Sequence, residues 1–147
     1  MGLIINKPQP GLRFVKLLKQ LKIKVEGGVR ETKVHYGGPV ETVRGFVLHS
    51  GDYPSQDPAV GGIALTATLD ILQDIARGRG PENALLALGY AGWAAGQLET
   101  EIACNGWLTC DADQALVFET ENAQKWARAL AKLGVSPLML SSTAGRA

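Results

Sequence analysis

The sequence contains few of the residues that build metal and redox sites. Its 147 residues include only two histidines and two cysteines. Neither His35 nor His49 belongs to a metal-ligand spacing, and the spacing of Cys104 and Cys110 matches no zinc or Cys-X-X-Cys pattern. We therefore predict two reduced thiols, no metal site and no cofactor.

Long apolar runs are also absent. A transmembrane helix needs about 20 consecutive apolar residues, and no run in the chain approaches that length. The short apolar run after Met1 ends at Lys7 and Pro8, which is not the pattern of a signal peptide. Apolar residues make up 46% and charged residues 20%, as in globular domains. We expect a cytoplasmic protein that does not enter the membrane.

The net charge of +1 conceals an uneven distribution. Residues 1–50 carry nine Lys/Arg against three Glu, a net +6, whereas residues 51–147 carry a net −5. Five of the cations follow one another at the predicted first helix: Arg13, Lys16, Lys19, Lys22 and Lys24. Such a row can track phosphates, so nucleic acid is one candidate partner. The only nearby aromatic, Phe14, lies on the apolar face, which favours a solvated helix face instead.

The spacing of apolar residues predicts a series of short helices and strands. Helices are predicted from Pro10-Gly11 onward (Phe14, Leu17, Leu18 and Leu21 on one face), around 69–76, over 96–102 and over 126–133, where Trp126, Ala129, Leu130 and Leu133 share a face. Strands are predicted over 2–6, 34–36, 44–49, 62–66, 85–88, 107–108 and 115–118. Elements that mix without steady alternation favour an α+β fold with a mixed, largely antiparallel sheet. We expect one compact domain over residues 1–147, with a frayed tail over 141–147.

Residues 89–108 form the most distinctive segment, with four glycines, two tryptophans, a glutamine and two carboxylates. The spacing of Gly89, Gly92 and Gly96 fits neither type of phosphate-binding loop. A tight turn from strand to helix, with Trp93 closing the core, explains the same residues and is the favoured interpretation.

Three polar residues follow in the next predicted helix. Gln97 and Glu101 share a helix face, while Glu99 points away from both. Paired carboxylates can perform acid/base catalysis when burial separates their pKa values. A glutamate in the first turn is also favoured by the helix dipole, and we favour this capping role over a catalytic dyad.

His49 precedes the most loop-like stretch, residues 50–58. Asp52, Ser55 and Asp57 in that loop could complete a polar site with the imidazole. Ser50 is not assigned as a nucleophile, because neighbouring strand residues point to opposite faces. A hydrogen-bonded structural histidine is the default interpretation.

Several ordered motifs resemble one known family along almost the whole chain. They are Gly2-Leu3-Ile4-Ile5-Asn6-Lys7-Pro8, Gly37-Gly38-Pro39-Val40, Leu48-His49, Gly89-Tyr90-Ala91-Gly92-Trp93, Gly96-Gln97-Leu98-Glu99 with Glu101, Asn105, Trp107-Leu108, Trp126 and Leu133-Gly134. The chain resembles the YqgE/AlgH family. The resemblance implies a cytoplasmic bacterial protein of compact α+β fold, with a bifurcated sheet curled into a pseudo-barrel and flanking helices. The family has no established activity, and one branch is named for a proposed regulatory link to alginate synthesis in pseudomonads.

The resemblance also identifies candidate functional or signature residues: Gly38, Pro39, His49, Gly89, Tyr90, Gly92, Trp93, Gly96, Gln97, Glu99, Glu101 and Trp107. Family members carry a few dozen residues before the Gly2–Pro8 motif. We therefore expect either a start codon assigned too late or a shortened chain, and a shortened chain would associate through an uncovered sheet edge.

The leading functional hypothesis is a non-catalytic interaction or regulatory module with a protein partner. The sequence has no Gly-x-Ser-x-Gly nucleophile elbow, metal cluster or cofactor loop. The first alternative is a small-ligand-binding or hydrolytic enzyme that uses residues 89–101. The second is a DNA-associated transcriptional regulator.

Overall fold

A computed structural model describes residues 1–27, 29–56 and 59–140, so Asp57 and the predicted tail over 141–147 lie outside the described residues. Its elements in chain order are α1 (Phe14–Gln20), β1 (Lys33–Tyr36), β2 (Val40–Ser50), β3 (Ile63–Thr66), α2 (Leu69–Ala76), β4 (Ala84–Tyr90), α3 (Gln97–Ala103), a π-helical turn (Ala115–Glu119), α4 (Asn122–Lys132) and a 3-10 turn (Pro137–Met139).

The four strands form one mixed sheet in the order β1-β4-β2-β3. β1 runs parallel to β4, whereas β2 is antiparallel to both β4 and β3. The predicted α+β fold with a largely antiparallel sheet is confirmed. The pseudo-barrel is not found among the described residues, because β1 and β3 remain the outer strands and four strands are too few to close.

The N-terminal segment covers the outer edge of β1. A strand was predicted over 2–6, but these residues form only an isolated bridge between Gly2 and Ala91, and Pro8 forms a second one with His35. Backbone hydrogen bonds nevertheless join it to β1, from Tyr36 N to Lys7 O and from Gln9 N to Val34 O, both at 2.9 Å. This edge of the sheet is therefore paired by the chain itself rather than left open.

The main core lies between one sheet face and the first two helices. Phe14 and Leu18 of α1, Ile71 of α2 and Leu86 of β4 are all fully buried. Burying a side chain of this kind contributes about 1.5–3 kcal/mol. The alternating strand pattern places the next residue of each strand on the opposite face.

α1 is shorter than its sequence pattern predicts. The helix ends at Gln20, Leu21 is 41% exposed, and Lys22 adopts a left-handed φ of 57°. The amide of Ile23 donates to Leu18 O at 2.9 Å and closes the helix end. Lys22 and Lys24 therefore lie in the following loop, and the basic row is not one helix face.

Residues 115–118 were predicted as a strand, and this prediction is wrong, because they lie in the π-helical turn Ala115–Glu119. The Leu116 amide donates to Asp113 Oδ1 at 2.7 Å, and the Thr120 amide donates to Ala115 O at 2.9 Å, five residues back. A short apolar run does not distinguish strand from helix by periodicity. Here a capping aspartate before the run starts a helical turn instead.

α4 buries only part of the face that the sequence predicts. Lys125 and Leu130 are buried, whereas Trp126 is 53% exposed. The helix contacts the sheet opposite the main core, because His35 of β1, which follows the core residue Val34, hydrogen-bonds Asn122. Of the predicted face, Leu130 is buried and Ala129 half-buried, whereas Trp126 and Leu133 are exposed.

Candidate functional site

Three side chains converge on the carboxylate of Glu101. The indole N–H groups of Trp93 and Trp107 both donate to Oε2, at 3.1 and 2.6 Å, and Gln97 Nε2 donates to Oε1 at 2.8 Å. We call Trp93, Gln97, Glu101 and Trp107 the Glu101 cluster. These bonds, chiefly the one from Trp107, lower the pKa of Glu101 below its ordinary value. The carboxylate is thus held ionised as an acceptor, which is unsuited to a general acid.

The local sequence dictates this geometry. Gly96 takes a left-handed φ of 76° ahead of α3, and Gln97 Oε1 accepts the amide of Ala94 at 3.0 Å. After the helix, Asn105 takes a left-handed φ of 59°, and the Gly106 amide donates to Glu101 O at 2.7 Å. This reversal brings the following residue, a tryptophan, back over the helix. No strand forms at 107–108, contrary to the sequence prediction, because the chain makes this return instead.

The cluster is ordered by contacts yet lies at the surface. The rings of Trp93 and Trp107 meet edge to face, with centroids 5.8 Å apart and planes at 75°. Trp107 remains 48% exposed and the adjacent Leu108 53% exposed, and α3 contributes no buried residue. Trp93 was expected to close the core, but it is only half-buried and its Cζ3 lies against Gly2. An aromatic pair is therefore fixed in place without being covered.

Glu99 does not join this cluster. It is exposed in the first turn of α3, where a negative charge complements the helix dipole. Glu101 lies on the face that carries Gln97, one turn away. The two carboxylates thus form no dyad.

The glycine motifs mark a close crossing of two backbones. A Cβ on Gly37 would overlap the Gly89 carbonyl oxygen, and a Cβ on Gly38 would overlap the Tyr90 backbone. Gly89 also has a left-handed φ of 74°. Tyr90 packs edge-on against Phe46 at 5.8 Å between centroids. Pro39 follows the crossing. A Cβ on Gly92 would make only ordinary van der Waals contacts, at 3.6 Å from the Tyr90 ring and 3.9 Å from Val40. Among Gly37, Gly38, Gly89 and Gly92, the steric requirement for glycine is therefore confined to the crossing itself.

His49 is fully buried and hydrogen-bonded at both ring nitrogens. Its Nδ1 lies 2.8 Å from Ser50 O, which can only accept, so Nδ1 carries the proton and Nε2 accepts the Thr66 hydroxyl at 3.0 Å. Ser50 Oγ accepts the Asn83 amide at 2.9 Å instead of facing the ring. Asp52, through Oδ2, accepts the Glu82 amide at 2.8 Å.

The predicted polar site joined His49 with Asp52, Ser55 and Asp57. Asp52 does not hydrogen-bond the imidazole, whose two nitrogens contact Ser50 O and Thr66 Oγ1. The pKa of Asp52 is lowered chiefly by the Ser50 hydroxyl, and His49 contributes a smaller electrostatic effect. Asp57, the other carboxylate of that prediction, lies outside the described residues.

A buried polar layer under α4 was not anticipated from the sequence. Lys125 is 4% exposed, and its Nζ donates to Ile5 O at 2.8 Å. His35 is fully buried, and its Nε2 lies 3.0 Å from Asn122 Oδ1; among the described residues, its Nδ1 has no hydrogen-bond partner. Burial lowers the pKa of His35 below 6.5 and that of Lys125 to about 8. The sequence does not indicate this burial, because Lys125 stands among residues that are typical of an exposed helix face.

In the part of the chain that the structure describes, no group of three or more His, Cys, Asp or Glu side chains is placed to hold a metal ion. Over the same ranges, no helix combines the length and hydropathy that crossing a bilayer requires. Cys104 and Cys110 are both free thiols.

The chain is a small α+β domain with an open mixed sheet and helices on both faces. A pair of tryptophans at its surface shares one carboxylate, and the described residues form no catalytic constellation that we recognise. A family model described as AlgH-like matches residues 1–138. The chain belongs to the AlgH-like family.

Relatives and a solved structure agree with this assignment. The chain is 55% identical to a UPF0301 protein of Jannaschia sp. (strain CCS1), covering all of this chain and 79% of the relative. It is also 55% identical to a UPF0301 protein of Rhodopseudomonas palustris (strain HaA2), covering all of this chain and 72% of that relative. The solution structure of the AlgH protein from Pseudomonas aeruginosa matches with a TM-score of 0.75 at 44% identity, over all of this chain and 79% of that one.

Proposed function

We propose that this chain is a non-catalytic interaction module with a regulatory role, and that it binds a protein partner through the Glu101 cluster. The proposal rests on one observation about Trp107. Its side chain is half-exposed, yet it is fixed by a 2.6 Å hydrogen bond to Glu101 and an edge-to-face contact with Trp93. Tryptophan is among the residues most enriched at the energetic centres of protein interfaces.

Preorganisation supports binding at this surface. A side chain that is already immobile loses little conformational freedom on association, a loss that otherwise costs about 0.5–1.5 kcal/mol. The adjacent Leu108 extends the apolar area. The same hydrogen bonds argue against catalysis by Glu101, because they occupy both oxygens and stabilise the charged form.

We propose that this binding takes place in the cytoplasm. Cys104 is exposed and unpaired, and Cys110 is also free. Exposed free thiols persist in reducing compartments, whereas oxidising ones convert them to disulfides.

Nucleic acid is a second candidate partner, because all five cations of the basic row are exposed. Arg13 also pairs with Glu31 at 3.5 Å. Binding through this row would contact phosphates and fall steeply with rising salt concentration. Duplex DNA binding that is undetectable at low ionic strength would remove this candidate.

Two tryptophans of similar exposure provide a matched test of the leading proposal. Trp107 is 48% exposed within the cluster, and Trp126 is 53% exposed on α4. Purified wild-type protein, W107A and W126A are used to capture partners from a lysate of the native host, and quantitative mass spectrometry compares them. We expect one or more proteins to be lost with W107A and retained with W126A. Identical partner sets for the wild type and W107A, or no captured partner at all, would contradict the proposal.

A further inference from the structure

A cavity of about 300 Å³ lies away from the Glu101 cluster, where the parallel strands β1 and β4 begin. Its lining comes from the residues before each strand, the end of α2 and the π-helical turn. The lining side chains that matter to the argument are Arg30, Thr32, Ile75, Glu82, Asn83 and Phe118. The volume lies at the lower end of the range for small-molecule sites.

The charges around this cavity are not paired with each other. Lys33, which also lines it, pairs with Glu121 at 3.3 Å, and Glu31 pairs with Arg13 at 3.5 Å. The guanidinium of Arg30 donates to the backbone carbonyl of Glu82 at 2.7 Å. In the described part of the chain, neither Arg30 nor the Glu82 carboxylate forms a salt bridge. One cation and one carboxylate, both on exposed residues, therefore lack an ion-pair partner at the same cavity.

The rest of the lining combines polar and apolar groups. Thr32 is only 7% exposed, and Asn83 is half-buried. Within the described ranges, neither the Thr32 hydroxyl nor the Asn83 carboxamide has a hydrogen-bond partner. Ile75 is 8% exposed, and Phe118 is carried by the π-helical turn, a conformation frequent at functional sites. The cavity thus offers opposite charges, neutral hydrogen-bonding groups and an apolar wall.

We propose that this cavity binds a small zwitterion of the free α-amino acid type with an apolar side chain. Arg30 binds the carboxylate, because the guanidinium group matches carboxylate geometry. Glu82 binds the ammonium group, and Ile75 and Phe118 contact the apolar side chain. The balanced lining disfavours a simple anion, which would meet the carboxylate of Glu82 unpaired. This inference is independent of the proposed partner surface.

Matched probes test the requirement for both charges. Isothermal titration calorimetry compares L-leucine and L-phenylalanine with 4-methylpentanoate, which is leucine without its amino group, and with 3-methylbutylamine, which is leucine without its carboxylate. We expect at least one of the amino acids to bind, and deletion of either charge to weaken binding at least tenfold. Absence of binding by both amino acids at millimolar concentration, or equal binding of 4-methylpentanoate, would overturn the proposal.

Variants assign the charges to residues. Arg30→Met and Glu82→Gln should each raise the Kd of the bound amino acid at least tenfold. Arg44→Met is the control, because Arg44 is an exposed arginine paired with Glu41 at 3.0 Å and does not line this cavity. Glu82→Gln should also reduce the tenfold difference in Kd between leucine and 4-methylpentanoate. A general loss of stability would weaken the binding of both compounds and would not change this ratio. Unchanged affinity in both variants would refute the assignment.

Discussion

The indole nitrogen of Trp107 lies 2.6 Å from Oε2 of Glu101, the same oxygen that accepts the indole of Trp93 at 3.1 Å. One carboxylate oxygen therefore fixes the mutual orientation of two aromatic rings at the surface. The acceptor must be a full carboxylate, because Gln97 donates to the other oxygen and leaves no position for a donor.

Replacement of Glu101 by Gln should weaken the hold on Trp107. The amide NH2 group would face either Gln97 or the two indoles, so at least one hydrogen bond is lost, and the remaining carbonyl is a neutral and therefore weaker acceptor than the carboxylate. We expect a red shift of tryptophan emission and a weaker near-ultraviolet circular dichroism signal, with Tm lowered by less than about 5 °C because the cluster is at the surface. Glu99→Gln on the exposed side of the same helix is the control. Spectra of E101Q that match those of wild type would contradict this account.

Replacement of Gly37 by Ala should destabilise the protein strongly. The new Cβ would overlap the Gly89 carbonyl oxygen, and neither backbone can move without disturbing the strand pairing. We expect a loss of at least about 3 kcal/mol in the free energy of unfolding, measured from urea denaturation. Gly96→Ala is the comparison, because its Cβ would meet nothing within 4 Å and only the left-handed φ of 76° is strained. Its loss should stay near 1–2 kcal/mol. Equal losses for the two variants would be inconsistent with the crossing.

Lys125 should make the protein more stable as the pH rises above 8. Its pKa falls from 10.5 to about 8 in the folded state because of burial, so the unfolded state binds more protons between these values. This contribution is fully present above the unfolded pKa and is lost as the pH falls through about 8. We expect Lys125→Met to abolish it, so that Tm rises less, or falls more, between pH 7.5 and 10 than in wild type. Lys16→Met, on the exposed side of α1, should leave the wild-type profile unchanged.

His35 should make the protein less stable in acid. Burial lowers its pKa below the ordinary value of 6.5, and the nearby Lys125 ammonium group lowers it further. Stability from the neutral imidazole is present above 6.5 and is lost as the pH falls through the lowered value. The decrease in Tm between pH 7 and pH 5 should therefore be smaller in His35→Leu than in wild type. A parallel decrease in both proteins would show that other groups control acid unfolding.

Much of the fold was predictable because local patterns coincide with tertiary packing. The apolar run at 85–88 became the central strand β4, and the apolar spacing after Leu69 became α2. Helical spacing also placed Gln97 and Glu101 on one face. These features depend on residues close together in the sequence.

The predictions that proved wrong concern conformations and contacts that neighbouring residues do not determine. The return of Trp107 to Glu101 depends on a left-handed residue, Asn105, that no periodicity marks. The burial of Lys125 depends on Ile5, at the other end of the chain. The exposure of Trp126 depends on how α4 rotates against the sheet, and a Trp in an amphipathic pattern is ordinarily assigned to the core.

The contact between Lys125 and Ile5 joins residues 120 positions apart. During synthesis, chain segments leave the ribosome in order, so the first nine residues emerge long before α4 exists. They can pair with β1 early, but the bond from Lys125 forms only after the chain has been synthesised through that residue. Docking of α4 is therefore a late event of vectorial folding, and a nascent chain halted before Lys125 lacks that tie between its N-terminal segment and the rest of the fold.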